Sequence, residues 1–343
     1  MRLSGMDGKA SARFDGAVVL AYFCASAAPV SDISQKPMTI PGAGRSNLSK
    51  GMSTKLGLIL EKALEGHRQA VYAVSAISPE VFFTAGGDGL LVRWEKAHGE
   101  WQDGLALVRF PEPVYALYAT NERVLAGTQQ GNLYQWEQGV LSLITNIPGG
   151  IFRIIADENG LWIGGGNGIV THLDNDGKLE KYGMGTSNIR SLALVDEVLF
   201  CGSSDGMLYA WAEGRVGPGV KLHDKAIFGL SYLPHMGMLL SGGRDAVLRL
   251  NLPGVPEVDT EIKAHLLHIH DIQLSPNNCY VASTSMDKTL KIWDATNMEL
   301  LKVADMAKYG LHSSSVNAVA WLDAMRLVTV SDDRRVAVWR IEN

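Results

Sequence analysis

The chain has 343 residues, a net charge of −5, 37 glycines and only 20% charged residues. That balance excludes a disordered polyelectrolyte and a basic surface for nonspecific nucleic-acid binding. No stretch reaches the roughly 18 consecutive apolar residues of a membrane-spanning helix.

The first 51 residues stand apart. Residues 29–51 are rich in Pro, Ser and Gly and have no period, which predicts a disordered extension. Residues 16–28 (GAVVLAYFCASAA) are uncharged and follow Lys9 and Arg13. They resemble a signal peptide with a small-residue cleavage site near Ala25–Ala27, although Asp7, Asp15 and Pro29 fit that pattern badly. A translation start at Met52 is the alternative. The expected organisation is thus an extension at 1–51 and a folded unit at 52–343. The expected setting is cytoplasmic, or exported if 1–28 is a signal peptide. Cys24, Cys201 and Cys279 are odd in number and form no C-x-x-C, which argues against a disulfide framework or a structural zinc. Cys201 and Cys279 read as small buried hydrophobes.

From residue 55 one pattern recurs. A V/I-x-x-V/L/I segment leads into an apolar strand, then a tight turn, then a strand usually ending in Trp. The seven segments are Val71–Val74, Val114–Leu117, Ile151–Ile154, Ile189–Leu192, Ile227–Leu230, Ile269–Ile272 and Val316–Val319. Their turns centre on Asp88, Gln130, Asn167, Asp205, Asp245, Asp287 and Asp333, spaced 37 to 46 apart. Six residues after each stand Trp94, Trp136, Leu173, Trp211, Asn251, Trp293 and Trp339. A period near 40 with four short strands per unit predicts an all-β propeller of seven blades.

The stretch Ser285-Met286-Asp287-Lys288-Thr289-Leu290-Lys291-Ile292-Trp293-Asp294 resembles the repeat motif of the WD40 family. Glu65-Gly66-His67 and Ala264-His265 resemble its Gly-His element. The likeness covers residues 55–343, strongly in blades one, six and seven; blades two to five are degenerate. The resemblance implies a ring closed by pairing of an N-terminal strand at 55–63 with the last blade, which removes an unpaired edge.

It also implies a buried hydrogen-bond relay in each well-formed blade. Blade one supplies His67, Thr84, Asp88 and Trp94; blade six supplies His265, Ser283, Asp287 and Trp293. Blade seven supplies His312, Thr329, Asp333 and Trp339, and blade five supplies His223, Ser241 and Asp245 without the Trp. These sets look like Ser-His-Asp triads, but a nucleophile needs one activated copy, whereas a repeat fold needs one per blade. Gly202-Ser203-Ser204-Asp205-Gly206 matches G-x-S-x-G, yet it is read as a strand-to-strand turn rather than a nucleophile elbow. Gly164–Gly168 and Asp174–Gly177 are read as hairpin turns rather than phosphate or calcium loops. His265, His268 and His270 lack a third free ligand partner, so no metal and no cofactor is expected.

Directly after the first V/I of each segment come Tyr72, Tyr115, Phe152, Arg190, Phe228, His270 and Asn317. In the WD40 family this position contacts partners at the upper mouth of the central channel. Arg244, Met286 and Asp332 precede turn residues, a second family contact position, and His268 extends the rim. Aromatics with arginines are the composition of a binding hot spot. The expected role is a non-catalytic scaffold that binds a protein or peptide through this top face, the partner being acidic or phosphorylated. The protein would act as a monomeric propeller within a complex. Packing of the same aromatics as core is the plainer alternative. A lactonase-like or cofactor-dependent propeller enzyme, with His270, Asp271 and Arg190 at the channel, is the alternative from another class.

Overall fold

The computed structural model describes residues 56–342 except 254, 256 and 311. The readings made for residues 1–51 lie outside the described residues. Seven antiparallel sheets follow one another along the chain. Their innermost strands are Val71–Ser78, Val114–Ala119, Ile151–Ala156, Ile189–Val195, Ile227–Leu233, Ile269–Leu274 and Val316–Trp321. All seven begin at the residue that the V/I periodicity marks. Each inner strand touches that of the next blade, and the seventh touches the first, so the ring is closed around a central channel.

Closure uses the N-terminal strand. Gly57–Glu65 pairs antiparallel with Arg335–Glu342 as the outer strand of blade seven, from Gly57 opposite Glu342 to Glu65 opposite Arg335. The expected strand at 55–63 is therefore shifted by two residues, because its register is set by the third strand of the blade and interrupted by a bulge between Leu60 and Lys62. A short helix, Met306–Tyr309, braces the junction. Its Tyr309 hydroxyl donates to the Leu58 carbonyl at 2.9 Å, and its ring meets Trp339 edge-on at 5.3 Å.

The core lies between blades rather than within one. Val71, Phe82 and Trp94 of blade one pack on Leu64, Val328, Val330, Val336 and Val338 of blade seven. Strand alternation alone would bury one sheet face; stacking blades buries both.

The turn after each second strand needs a left-handed residue. Asn167 and Gly168 adopt φ of 56° and 70°, the Asn-Gly hairpin conformation. Cys201 is fully buried, and burial pushes its thiol well above the ordinary range. Cys279 corrects the expectation: it is exposed, in the turn before Tyr280, with its Sγ on the Asn277 carbonyl. Its neighbours Asn277 and Asn278 put it at the tip of the hairpin rather than on a buried strand face.

Candidate functional site at the channel mouth

The face at which the inner strands begin is built by two features repeated in all seven blades. The first is a bulge. Register shifts fall between Val71 and Ala73, Val114 and Ala116, Ile151 and Arg153, Ile189 and Ser191, Ile227 and Gly229, Ile269 and Asp271, and Val316 and Ala318. The skipped residue each time is Tyr72, Tyr115, Phe152, Arg190, Phe228, His270 or Asn317. A bulge re-aims the side chain of its extra residue. All seven are partly buried, while the residue before each is fully buried.

The second feature is a pin. The residue before each turn position donates its backbone N–H to the carbonyl just ahead of the inner strand. Examples are Gly87 to Ala70, Arg244 to Ala226, Met286 to His268 and Asp332 to Ser315, at 2.8, 2.8, 2.8 and 3.0 Å. The two contact positions of each blade are thereby locked side by side.

The bulged side chains form two arcs. Tyr72 meets Tyr115 edge-on at 5.2 Å, Tyr115 stacks on Phe152 at 6.2 Å, and the Arg190 guanidinium lies 3.8 Å from the Phe152 ring centre. On the other side Phe228 meets His270 edge-on at 6.0 Å, and His270 Nδ1 is 3.2 Å from Asn317 Oδ1. The Asn317 amide donates to Asp332 at 2.8 Å and to the Val71 carbonyl at 2.9 Å, which joins blade seven to blade one. The aromatics are thus neither free nor core: they pack on one another and keep exposed edges.

Charge is uneven around this mouth. Burial, the Asp332 charge and Tyr115 raise the Tyr72 phenol. Burial, then Arg244 and Lys225, push His268 down. Burial pushes His270 down against its bond to Asn317. Arg244, Met286 and Asp332 are exposed on the rim, beside exposed Leu266 and Leu267.

Beneath the mouth is a cavity of about 290 Å³ lined by Tyr72, Tyr115, Phe152, Arg153, Asp271 and Trp321, among others. Arg153 of blade three spans it to Asp271 of blade six at 3.2 Å. Asp271 also accepts the backbone N–H of Ile272 and Val319 and the Gln273 amide. Position three of the other inner strands carries Ala, Ser or Gly, so sequence reasoning gave this pair no signal until the strands were superposed in register.

The relay residues of blades one, six and seven stand within hydrogen-bonding distance of one another. In blade one His67 Nδ1 lies 3.2 Å from Asp88, His67 Nε2 lies 2.7 Å from Thr84 Oγ1, and Trp94 Nε1 donates to the same hydroxyl at 2.8 Å. Blade six repeats this through His265, Asp287, Ser283 and Trp293, and blade seven through His312, Asp333, Thr329 and Trp339. The ionised Asp accepts, so Nδ1 carries the proton and the hydroxyl donates to Nε2. Thr84, Ser283 and Thr329 are wholly buried with a lone pair taken by an indole, which leaves no accessible nucleophile. Burial raises the Asp88 carboxyl, but the His67 bond and the Arg68 amide outweigh it and hold it at about 2. In blade five Arg249 joins His223 and Asp245, at 2.6 Å from each. Blades two and three use apolar pairs at the His and hydroxyl positions, Phe110 with Ala126 and Ile147 with Ile163.

The family model for the WD domain, G-beta repeat, matches residues 257–294 and 306–340. The crystal structure of the WD40 β-propeller domain of Doa1 superposes with a TM-score of 0.75 at 17% identity, covering 82% of this chain and 96% of that one. This chain is a WD40-repeat β-propeller. Actin-interacting protein 1 of Drosophila melanogaster is 28% identical over 139 residues, 40% of this chain and 22% of that protein. The ribosome biogenesis protein WDR12 homolog of Trichoplax adhaerens is 23% identical over 183 residues, 45% of this chain and 42% of that protein. The WD40 chain therefore spans less than half the length of these relatives.

Among the described residues of this WD40 propeller, no three His, Cys, Asp or Glu side chains are grouped to hold a metal. No helix among the described residues is long and apolar enough to cross a membrane. His270, Asp271 and Arg190 do not converge: His270 is tied to Ser315 and Asn317, Asp271 to Arg153 and Val319, and Arg190 to Ser204. Ser203, in the G-x-S-x-G segment, donates to the Asp205 carboxylate within a strand-to-strand turn. A second pocket, of about 210 Å³, lies between blades two and three, lined by Arg123, Ile144, Leu161, Leu173 and Asp174.

Proposed function

We propose that this WD40 propeller is a non-catalytic scaffold that binds a protein or peptide segment across the channel mouth, acting as a monomer within a larger complex. The observation that carries the reading is the row of seven bulges, which turns one side chain per blade out of the sheet. In four blades that side chain is aromatic, and Tyr72, Tyr115 and Phe152 form one continuous platform. Such rings bury large areas at low entropic cost, and a platform held by the fold loses little freedom on binding. On the other side of the mouth exposed Leu266, Leu267 and Met286 add apolar surface, and the cations of the rim suit an acidic or phosphorylated segment. An exposed free thiol at Cys279 suits a reducing, cytoplasmic setting.

The test is an affinity capture from the native host comparing wild type with a Tyr72→Ala, Tyr115→Ala, Phe228→Ala triple variant of equal melting temperature. Loss of a partner in the variant supports top-face binding. Identical partners in both would move the interface to the blade sides.

A further inference from the structure

Arg190 is exceptional among the arginines. Of the partly buried ones, Arg93, Arg153, Arg249, Arg326 and Arg335 each pair with a carboxylate. Among the described residues only Arg190 and Arg123 do not, and Arg123 gives an Nη1 bond to the Gln135 amide oxygen at 3.4 Å. Arg190 lies with its flat face on Phe152 and donates Nε–H to Ser204 Oγ at 3.1 Å. Stacking uses the face of a guanidinium, and the Ser204 bond uses its Nε side. The terminal Nη1/Nη2 edge is left with no acceptor among the described residues, close to the Tyr115 phenol, while the Phe152 ring against its face lines the cavity. Burial costs this cation solvation that no counter-charge restores, which is also why its proton is held less tightly than usual.

We infer that the Nη edge of Arg190 is the seat for a single carboxylate, supplied by a Glu or Asp side chain of the peptide that crosses the channel mouth. This rests on the top-face reading and gives its partner a chemistry. One guanidinium edge matches one carboxylate in a two-point contact, and a partly desolvated, stacked arginine makes that contact stronger than a free one does. Lys225 and Arg244, exposed on the same face beside His268, add attraction for an acidic segment although the whole chain carries a charge of −5. Leu266, Leu267 and Met286, exposed on the next blade, offer an apolar ledge for a neighbouring side chain of the same segment.

The experiment selects peptides from a random display library on the full chain. The selected peptide, its Glu→Gln form and its phosphoserine form are then titrated against wild type, Arg190→Gln, Arg190→Lys, Arg123→Gln and the triple aromatic variant. Peptides enriched on wild type carry an acidic residue beside an apolar one. Arg190→Gln weakens binding on the order of thirtyfold, the peptide's Glu→Gln change does the same, and the two losses together are no larger than either alone. Arg190→Lys loses much of the affinity because it lacks the fork, and Arg123→Gln loses none. Each variant is compared at equal melting temperature, since Ser204 and Phe152 hold Arg190 in place. Additive losses, or unchanged binding by Arg190→Gln while the aromatic variant fails, overturn the carboxylate seat and leave the top-face reading standing. Stronger, Arg190-dependent binding of the phosphoserine form overturns the carboxylate in favour of a phosphate. No enrichment on wild type, or full binding by the aromatic variant, overturns both.

Discussion

The Arg153 guanidinium on blade three and the Asp271 carboxylate on blade six meet at 3.2 Å across the central channel. Their strands are not neighbours in the ring, so the pair works as a strut between opposite sectors. Asp271 is almost wholly buried, whereas the Arg153 side chain keeps 28% of its surface exposed. Asp271→Ala should therefore cost about 3–5 kcal/mol, because it strands a cation and orphans the Val319 and Ile272 N–H groups. Arg153→Ala should cost less, about 1–2 kcal/mol, since three N–H donors still hold the carboxylate. Denaturant unfolding of both variants measures the difference. An Arg153→Ala loss as large as that of Asp271→Ala would mean the strut, not the Asp271 backbone ties, carries the stability.

Asp287 holds four donors: His265 Nδ1, the Leu266 and Thr289 N–H groups, and the Thr289 hydroxyl. Asp287→Ala leaves all four without their acceptor in a site that admits little water. The expected loss is about 3 kcal/mol. Trp293→Phe removes only the indole bond to Ser283 and should cost about 1 kcal/mol beyond any packing change. Unchanged melting of Asp287→Ala would falsify the structural assignment of the relay.

The relay was legible in the residues because it recurs at fixed offsets; the face it supports was legible only in part. Periodicity located Tyr72, Tyr115 and Phe152, since each follows a V/I that starts an inner strand. The bulge that turns them outward is a hydrogen-bonding register, which no residue type marks. Arg153 and Asp271 are 118 positions apart, and nothing in local sequence links them. Arg249 was invisible because it joins the Asp245 end of the blade-five relay from a position that carries no fixed residue in the other blades, while buried Asn251 stands where they have the indole.

Acid should weaken the fold in two stages. Burial holds His265 and His270 below the usual imidazole range, so the unfolded chain takes up protons first as pH falls below about 6.5, and stability declines. Asp88 and Asp333 are held at about 2, raised by burial but lowered further by their histidine bonds. Asp245 and Asp287 are also lowered. Their contribution is complete above the ordinary carboxylate range and is lost as pH falls from about 4 toward 2. Unfolding midpoints measured from pH 7 to pH 2 should fall throughout, and Asp88→Asn should flatten the lower part of the curve. A midpoint that rises between pH 4 and 2 would contradict the sign.

Ring closure makes the sharpest demand on the chain. Blade seven takes its outer strand, Gly57–Glu65, from the far end of the folded sequence, so one strand pairing ties the start of that sequence to its last blade. Deleting residues 57–65 exposes the Arg335–Glu342 edge and uncovers Val336, Val338 and Trp339. An unpaired apolar edge recruits another chain. The deleted form should therefore elute as dimers or larger species and melt well below the full chain. Tyr309→Phe tests the brace alone: it removes the bond to the Leu58 carbonyl and should cost about 1 kcal/mol while the protein stays monomeric. Size-exclusion chromatography with light scattering separates the two outcomes. A stable monomer lacking 57–65 would show that the other six blades hold the ring closed without it.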